Sequence, residues 1–171
     1  MENGMITHKN RSPLKKILLH ISSIYTFFIA SWHMGLMISV LLLWYPSWSG
    51  LTIDTVKTNF DIPAQTATNL FVIMVPIAIT TAFILVIGEW KNILRWPAIV
   101  AFIGLTGASI VAKYFLFPIN DIIYAGVKDQ NELTPLLIKW MALNNWRVFF
   151  SALTWVAMMT YYTMKCEMKT A

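Results

Sequence analysis

Three basic side chains lie inside otherwise apolar segments and away from their cytoplasmic edges, which makes them the first candidates for chemistry. They are His33, Lys113 and Arg147. A charged group at the centre of a membrane span costs at least about 2.5 to 3.5 kcal/mol, so such residues usually face the protein interior and carry function. There an imidazole can take a proton, while an ammonium and a guanidinium can stabilise an enolate, phenolate, carboxylate or phosphate. We therefore predict these three residues as catalytic.

Polar residues flank two of these cations at spacings that suit a shared pocket. The segment that holds Lys113 ends in "FPIND", and the segment that holds Arg147 is preceded by "WMALNNW". The amides of Asn120 and Asn144 can orient an anionic ligand. The residues that we predict to bind a ligand are Asn120, Asp121, Trp140 and Asn144.

Each of these residues also has a purely structural interpretation. Lys113 can extend its ammonium to the membrane surface, and Arg147 can anchor the end of a span. A single histidine such as His33 can serve as a neutral hydrogen-bonding group between helices. Asn120 can form a turn, and Asp121 can be a solvated loop acid or the counter-ion of one of the two cations. The sequence leaves these alternatives open.

The composition identifies lipid as the surrounding medium. Hydrophobic residues make up 57% of the 171 residues and charged residues only 12%. Four apolar segments approach the ~20 residues that a helix needs to cross a bilayer. Their approximate ranges are 17–45, 70–87, 96–117 and 146–162. The first is longer than the apolar core of a signal peptide and no small-residue cleavage site follows it, so we expect it to be retained.

These segments predict an all-α integral membrane protein, an antiparallel four-helix bundle with a single domain over residues 1–171. The link between the second and third segments is short, which forces those two helices to be antiparallel. We also expect a short additional interfacial helix after Pro135, in the last outer loop.

The three cations are expected at one depth in this bundle. Each lies 17 or 18 residues from the cytoplasmic boundary of its segment: His33 from Lys16, Lys113 from Trp96 and Arg147 from Lys165. At 1.5 Å per residue that is ~25 to 27 Å, in the outer leaflet. Every segment also carries a stripe of small or polar residues at helical spacing, which is typical of helix contacts in lipid. The stripes are Ser22, Thr26 and His33; Asn69, Pro76 and Thr80; Thr106, Ser109 and Lys113; and Asn144, Arg147, Ser151 and Thr154. We therefore predict a polar pocket in the outer half of the bundle.

Basic residues concentrate in both terminal tails and in the link between the second and third segments, which predicts that both termini are cytoplasmic. These residues are Lys9, Arg11, Lys15, Lys16, Lys91, Arg95, Lys165 and Lys169. They flank apolar spans and form no patch with interleaved aromatics, so we expect no nucleic-acid partner. The composition and the absence of a transit peptide favour a bacterial inner membrane.

The sequence lacks the ligand residues that several common cofactor sites need. A haem between two histidines needs partners on different helices, whereas His8 is in the tail and His20 and His33 share one segment. Ligation by one methionine and one histidine stays open with ten methionines, but the sequence singles out no axial methionine. No Glu-x-x-His or comparable cluster suggests zinc or di-iron. The lone Cys166 lies beyond the last span. We therefore predict no metal and no cofactor.

The motifs "FPIND" and "WMALNNWR" resemble the signature of the DUF1772 family of small four-span membrane proteins, which includes fungal anthrone oxygenases. The matching residues are Pro118, Asn120, Trp140, Asn144 and Arg147. The resemblance implies a four-span fold, a pocket at these residues, and oxidation of an anthrone by dioxygen without metal or flavin. Lys113 and His33 match no motif of the family.

Three functions follow as hypotheses. The first is a cofactor-independent oxygenase of anthrone-like or phenolic lipophilic substrates, an assignment of enzyme activity that depends on the resemblance alone. The second is a protein that binds or transports an anionic lipid or quinone-like molecule without chemistry. The third is a structural subunit of a homo-oligomer or membrane complex, whose small-residue seam, Gly104 to Ala112, docks a partner helix.

Overall fold

The computed structural model describes residues 12–170, and all regular structure in this range is helical. Four long helices follow one another: α1 (Pro13–Trp48), α2 (Ile53–Gly88), α3 (Arg95–Tyr124) and α4 (Gln130–Thr170). Each packs against the next, and α4 packs back against α1. We call the end with the connections 49–52 and 125–129 the upper end, and the end with the connection 89–94 the lower end. His8, Lys9 and Arg11 lie outside the described residues.

Three of the helices, α1, α2 and α3, are long and apolar enough to cross a membrane. α4 is the longest but is less apolar, because its first turns are polar and its apolar segment contains Arg147 and several hydroxyl residues. Large apolar side chains are exposed along the first three helices, for example Ile17 (56%), Ile73 (68%) and Ile103 (51%). Such continuous apolar exposure is expected for a protein whose solvent is lipid.

The helices at the upper end extend further than the apolar pattern predicts. α2 begins at Ile53 instead of near residue 70, because Thr52 and Thr55 form a reciprocal cap at its first turn. The polar stretch that precedes the second apolar segment is therefore mostly helix. The expected interfacial helix after Pro135 is not a separate element, since Gln130–Thr170 runs without a break. Pro135 lies inside α4, where it has no N–H to donate to the Asn131 carbonyl four residues earlier.

Each of the first three helices contains one five-residue π-helical turn toward the upper end. These turns are Val40–Trp44, Lys57–Asp61 and Ala112–Leu116. A proline follows each turn at the second position, namely Pro46, Pro63 and Pro118. Proline clashes with the carbonyl four residues earlier and gives it no N–H, so a local widening of the helix relieves the conflict.

The lower half is tightly packed by small residues. Ala78 and Ala82 of α2 are buried with Leu105 of α3. On the other face of α3, a Cβ atom at Gly104 would lie 2.8 Å from the Phe150 carbonyl oxygen and closer still to Thr154 Oγ1. α4 of the same chain therefore covers this part of the seam that the sequence offered to a partner helix.

The polar stripes of α1 and α4 face inward, whereas that of α2 does not. Ser22, Thr26 and His33 are buried on α1, and Asn144, Ser151 and Thr154 are buried on α4. On α2 the predicted stripe, Asn69, Pro76 and Thr80, is exposed. The prediction for α2 is wrong because a threonine can satisfy its hydroxyl within its own helix: Thr80 Oγ1 donates to the Pro76 carbonyl at 2.9 Å.

Candidate functional site

A cavity of about 450 Å³ lies in the upper half of the helix ring, and all four helices contribute to its walls. Most of its wall is apolar or aromatic. Five of the seven residues predicted for the site line it: His33, Lys113, Asn120, Trp140 and Arg147. Asn144 lies directly behind this wall, and Asp121 lies elsewhere.

A chain of hydrogen bonds holds Arg147, and every donor in it points away from the guanidinium. Its Nη1 donates to Asn144 Oδ1 at 3.1 Å, and Asn144 Nδ2 donates to Tyr45 Oη at 3.0 Å. The Tyr45 hydroxyl then donates to the Met141 carbonyl at 3.0 Å. Asn144 is fully buried, so its amide is fixed with its oxygen toward the guanidinium. Asn144 and Tyr45 therefore position Arg147 and do not themselves form the cavity's polar surface.

The contacts of His33 define its tautomer. Ser151 Oγ donates its one hydrogen to the Arg147 carbonyl at 2.6 Å, so it must accept from His33 Nδ1, which lies 2.9 Å away. The other ring nitrogen, Nε2, lies 3.4 Å from Arg147 Nη2, which can only donate. The imidazole is therefore neutral, with its hydrogen on Nδ1 and its lone pair on Nε2 directed at the guanidinium.

The charge of Arg147 has no carboxylate partner within residues 12–170. Of its five N–H donors, two have protein acceptors there, and the buried Nε has none. Both acceptors are neutral groups. Arg147 is half-buried, with its Nε fully buried, so a charge without a counter-ion is costly there, and an anion in the adjoining cavity would compensate it.

A cluster of aromatic rings closes the upper end of the cavity. Trp48 is its centre, with ring centroids 4.9 Å from Phe60 and 5.1 Å from Trp140. Trp140 Nε1 donates to Asn120 Oδ1 at 2.7 Å, and both residues are buried. This bond joins the two sequence motifs on α3 and α4. It uses one of the two lone pairs of the Asn120 oxygen, and the amide nitrogen of Asn120 is the group that could donate to an anionic ligand.

Lys113 and Asp121 are the two predicted residues on the surface. Lys113 lines the cavity yet is exposed, and its Nζ lies 5.8 Å from the centre of the Tyr114 ring. Lys113 therefore lies at the edge of the cavity and not deep inside it. Asp121 is exposed and does not line the cavity, so we leave it out of the candidate site. In the described part of the chain it pairs with neither Lys113 nor Arg147.

Two contributors were not recognised as site residues in the sequence. Tyr45 lies at the end of the first apolar segment, and nothing in its surroundings indicates that it reaches Asn144 on α4. Ser151 was recognised only as a polar residue of the α4 stripe. Its spacing of four from Arg147 is the one signal that could have placed it, since a serine there can reach the Arg147 carbonyl.

The arrangement can stabilise negative charge and accept one proton. The guanidinium supplies the charge, His33 Nε2 supplies a lone pair, and apolar walls exclude water. Within residues 12–170 there is no group of three or more His, Cys, Asp or Glu residues that could hold a metal ion. No family model, curated protein or solved structure matches the chain, so membership of the DUF1772 family stays a prediction.

Proposed function

We propose that this protein is an integral membrane protein that binds a lipophilic molecule with an anionic head, with the head against Arg147. The observation that carries the proposal is a guanidinium without a carboxylate partner in the described chain, which lines a largely apolar cavity of about 450 Å³. That volume lies within the range of small-molecule sites, ~300 to 1,000 Å³. Apolar walls with few convergent polar groups favour an amphipathic ligand.

In this proposal all four helices cross the bilayer. α4 supports a fourth crossing because it exposes Trp146 (59%), Phe149 (54%) and Val156 (53%), as the other three helices expose their apolar side chains. Its polar residues Asn144, Ser151 and Thr154 are buried in the ring instead. The proposed crossing places the cavity in one leaflet, with both termini on the cytoplasmic side of a bacterial inner membrane.

Tryptophan fluorescence can test the binding function, because Trp44, Trp48 and Trp140 line the cavity. A stearic acid brominated near its head would be titrated into the protein in detergent, beside its methyl ester. We expect saturable quenching by the acid and weaker binding of the ester. Loss of charge-assisted hydrogen bonds, each worth about 1.5 to 3 kcal/mol, should weaken acid binding to Arg147→Gln by about 10- to 100-fold.

Arg95→Gln is the matched control for this experiment. Arg95 is a half-buried arginine at the lower end of α3, where its guanidinium lies 4.9 Å from the centre of the Trp96 ring. Its replacement should leave acid binding unchanged. Equal binding of acid and ester, or equal loss of binding in the two arginine variants, would refute the proposed function.

A second candidate function is a cofactor-independent oxygenase, which the pairing of His33 Nε2 with the guanidinium favours. An anthrone methylene would give a proton to Nε2, and Arg147 would stabilise the enolate oxygen. Dioxygen would then oxidise the carbanion, one oxygen atom becoming the new carbonyl and the other leaving as water. Oxygen uptake with a panel of anthrones would be compared for the wild type, Arg147→Gln and His33→Asn. No uptake by the wild type would eliminate this candidate.

A further inference from the structure

The cavity is exposed on one side only, between α2 and α3. Three of its lining residues are exposed, Val72 and Pro76 on α2 and Lys113 on α3. All lining residues on α1 and α4 are buried or half-buried. The opening therefore lies in the side wall of the helix ring, between these two helices.

Contacts above and below give this opening the form of a window. Below it, α2 and α3 pack through Ala78 and Leu105, and the rings of Phe83 and Phe102 lie 5.7 Å apart. Above it, the π-helical turn Lys57–Asp61 of α2 contacts the last turns of α3. The helices thus touch at two levels and separate between them.

The surface around the window is apolar, whereas its edge is polar. Outside the window, Ile73 (68%) and Ile77 (46%) on α2 and Ile110 (47%) on α3 are exposed, which suits hydrocarbon. At the edge, Lys113 supplies an ammonium. Pro76 has no N–H, so it donates no hydrogen bond to the Val72 carbonyl four residues earlier. An acidic head that moves along this edge meets a cation before it reaches Arg147.

The groups of the cavity that could donate to an acidic head lie behind the window. Asn120 is 5% exposed and Arg147 is half-buried, whereas Val72, Pro76 and Lys113 at the window are exposed. A volume of about 450 Å³ at the lower part of the usual range accommodates a head and the start of a chain, not a whole membrane lipid. A bound lipid would have to leave the rest of its chain outside.

From these observations we propose that the ligand is a membrane lipid with an acidic head that enters through the window between α2 and α3. Its head lies at Arg147, and its hydrocarbon chain passes between Val72 and Lys113 into the bilayer. This inference rests on the proposed binding function and specifies it. It favours a long-chain lipid over a compact polycyclic molecule that the cavity would enclose completely.

Stearic acids brominated near the head, in mid-chain and at the tail test this orientation. For each isomer, the informative signal is the part of the tryptophan quenching that Arg147→Gln abolishes, since this excludes quenching from the detergent. We expect that part to be large for the bromine near the head and small for the bromine at the tail. Equal quenching by all three isomers would mean complete enclosure and would overturn the proposal.

Val72→Phe tests the window itself, with Ile73→Phe as the matched control. Both residues are exposed on α2, but only Val72 lines the cavity. In stopped-flow quenching we expect roughly tenfold slower association for Val72→Phe and an unchanged rate for Ile73→Phe. If all isomers fail to show any Arg147-dependent quenching, the binding function itself is wrong. If that quenching persists but is equal for all bromine positions, and Val72→Phe does not change the association rate, only the window is wrong.

Discussion

Replacing Asn144 with leucine tests whether the buried amide holds the guanidinium in place. Asn144 is fully buried, accepts from Arg147 Nη1 at 3.1 Å and donates to Tyr45 Oη at 3.0 Å. Leucine has a similar size and a good helix propensity, so the variant removes these two hydrogen bonds with little other change. The neighbouring Asn145 is exposed and provides a matched control.

The two hydrogen bonds set the expected magnitude. A bond to a charged group contributes about 1.5 to 3 kcal/mol, and a neutral bond between membrane helices contributes about 0.6 kcal/mol. Burial of the leucine side chain returns about 1 kcal/mol. The free energy of unfolding should therefore fall by about 1 to 2.5 kcal/mol, which corresponds to a melting temperature roughly 2 to 10 °C lower for a chain of this length.

Thermal unfolding in detergent, followed by circular dichroism, measures this difference. Asn145→Leu should change the melting temperature by no more than about 2 °C, because surface substitutions usually stay within ~0.5 kcal/mol. Tyr45 retains the Met141 carbonyl as the nearer acceptor in that variant. Equal melting temperatures for the two leucine variants would show that the guanidinium does not depend on Asn144.

Two further predictions concern the helix seam and the imidazole. Gly104→Val should lower the melting temperature strongly, since its side chain would collide with Thr154 and the Phe150 carbonyl; Gly35→Ala, with no atom within 4 Å, should leave it equal or slightly higher. In ¹⁵N-resolved NMR, His33 should show its proton on Nδ1, and Ser151→Ala should weaken this preference without reversing it, because the acceptor of that proton is lost while Nε2 still faces the donor Arg147 Nη2. A proton on Nε2 in the wild type would contradict the assigned network.

Apolar periodicity and residue depth could be predicted from sequence because both depend on local geometry. Counting residues at 1.5 Å each placed His33 and Arg147 at one level, and their side chains lie 3.4 Å apart. The same count cannot tell which face of a helix points inward. That is why the count could not show that Lys113 lies at the edge of the cavity.

Contacts between distant segments could not be predicted because the sequence does not encode them locally. Tyr45 and Asn144 are 99 residues apart, and only the packing of α1 on α4 brings them together. The upper helix ends were also underestimated. A polar helix such as the start of α2 is stabilised by its cap and by tertiary contacts, and neither contributes to an apolar pattern.

The prolines connect the sequence to the shape of the cavity. Pro63 has no N–H to donate to the carbonyl four residues earlier, which belongs to Asn59, and Trp48 Nε1 donates to that oxygen at 3.1 Å. Because of Pro63, the Asn59 carbonyl can accept from Trp48, the central ring of the aromatic cluster at the upper end of the cavity. Pro76 leaves the Val72 carbonyl without a helical donor at the window. The same stereochemical rule therefore contributes to both the closed end and the open side of the site, through two prolines that carry no charge.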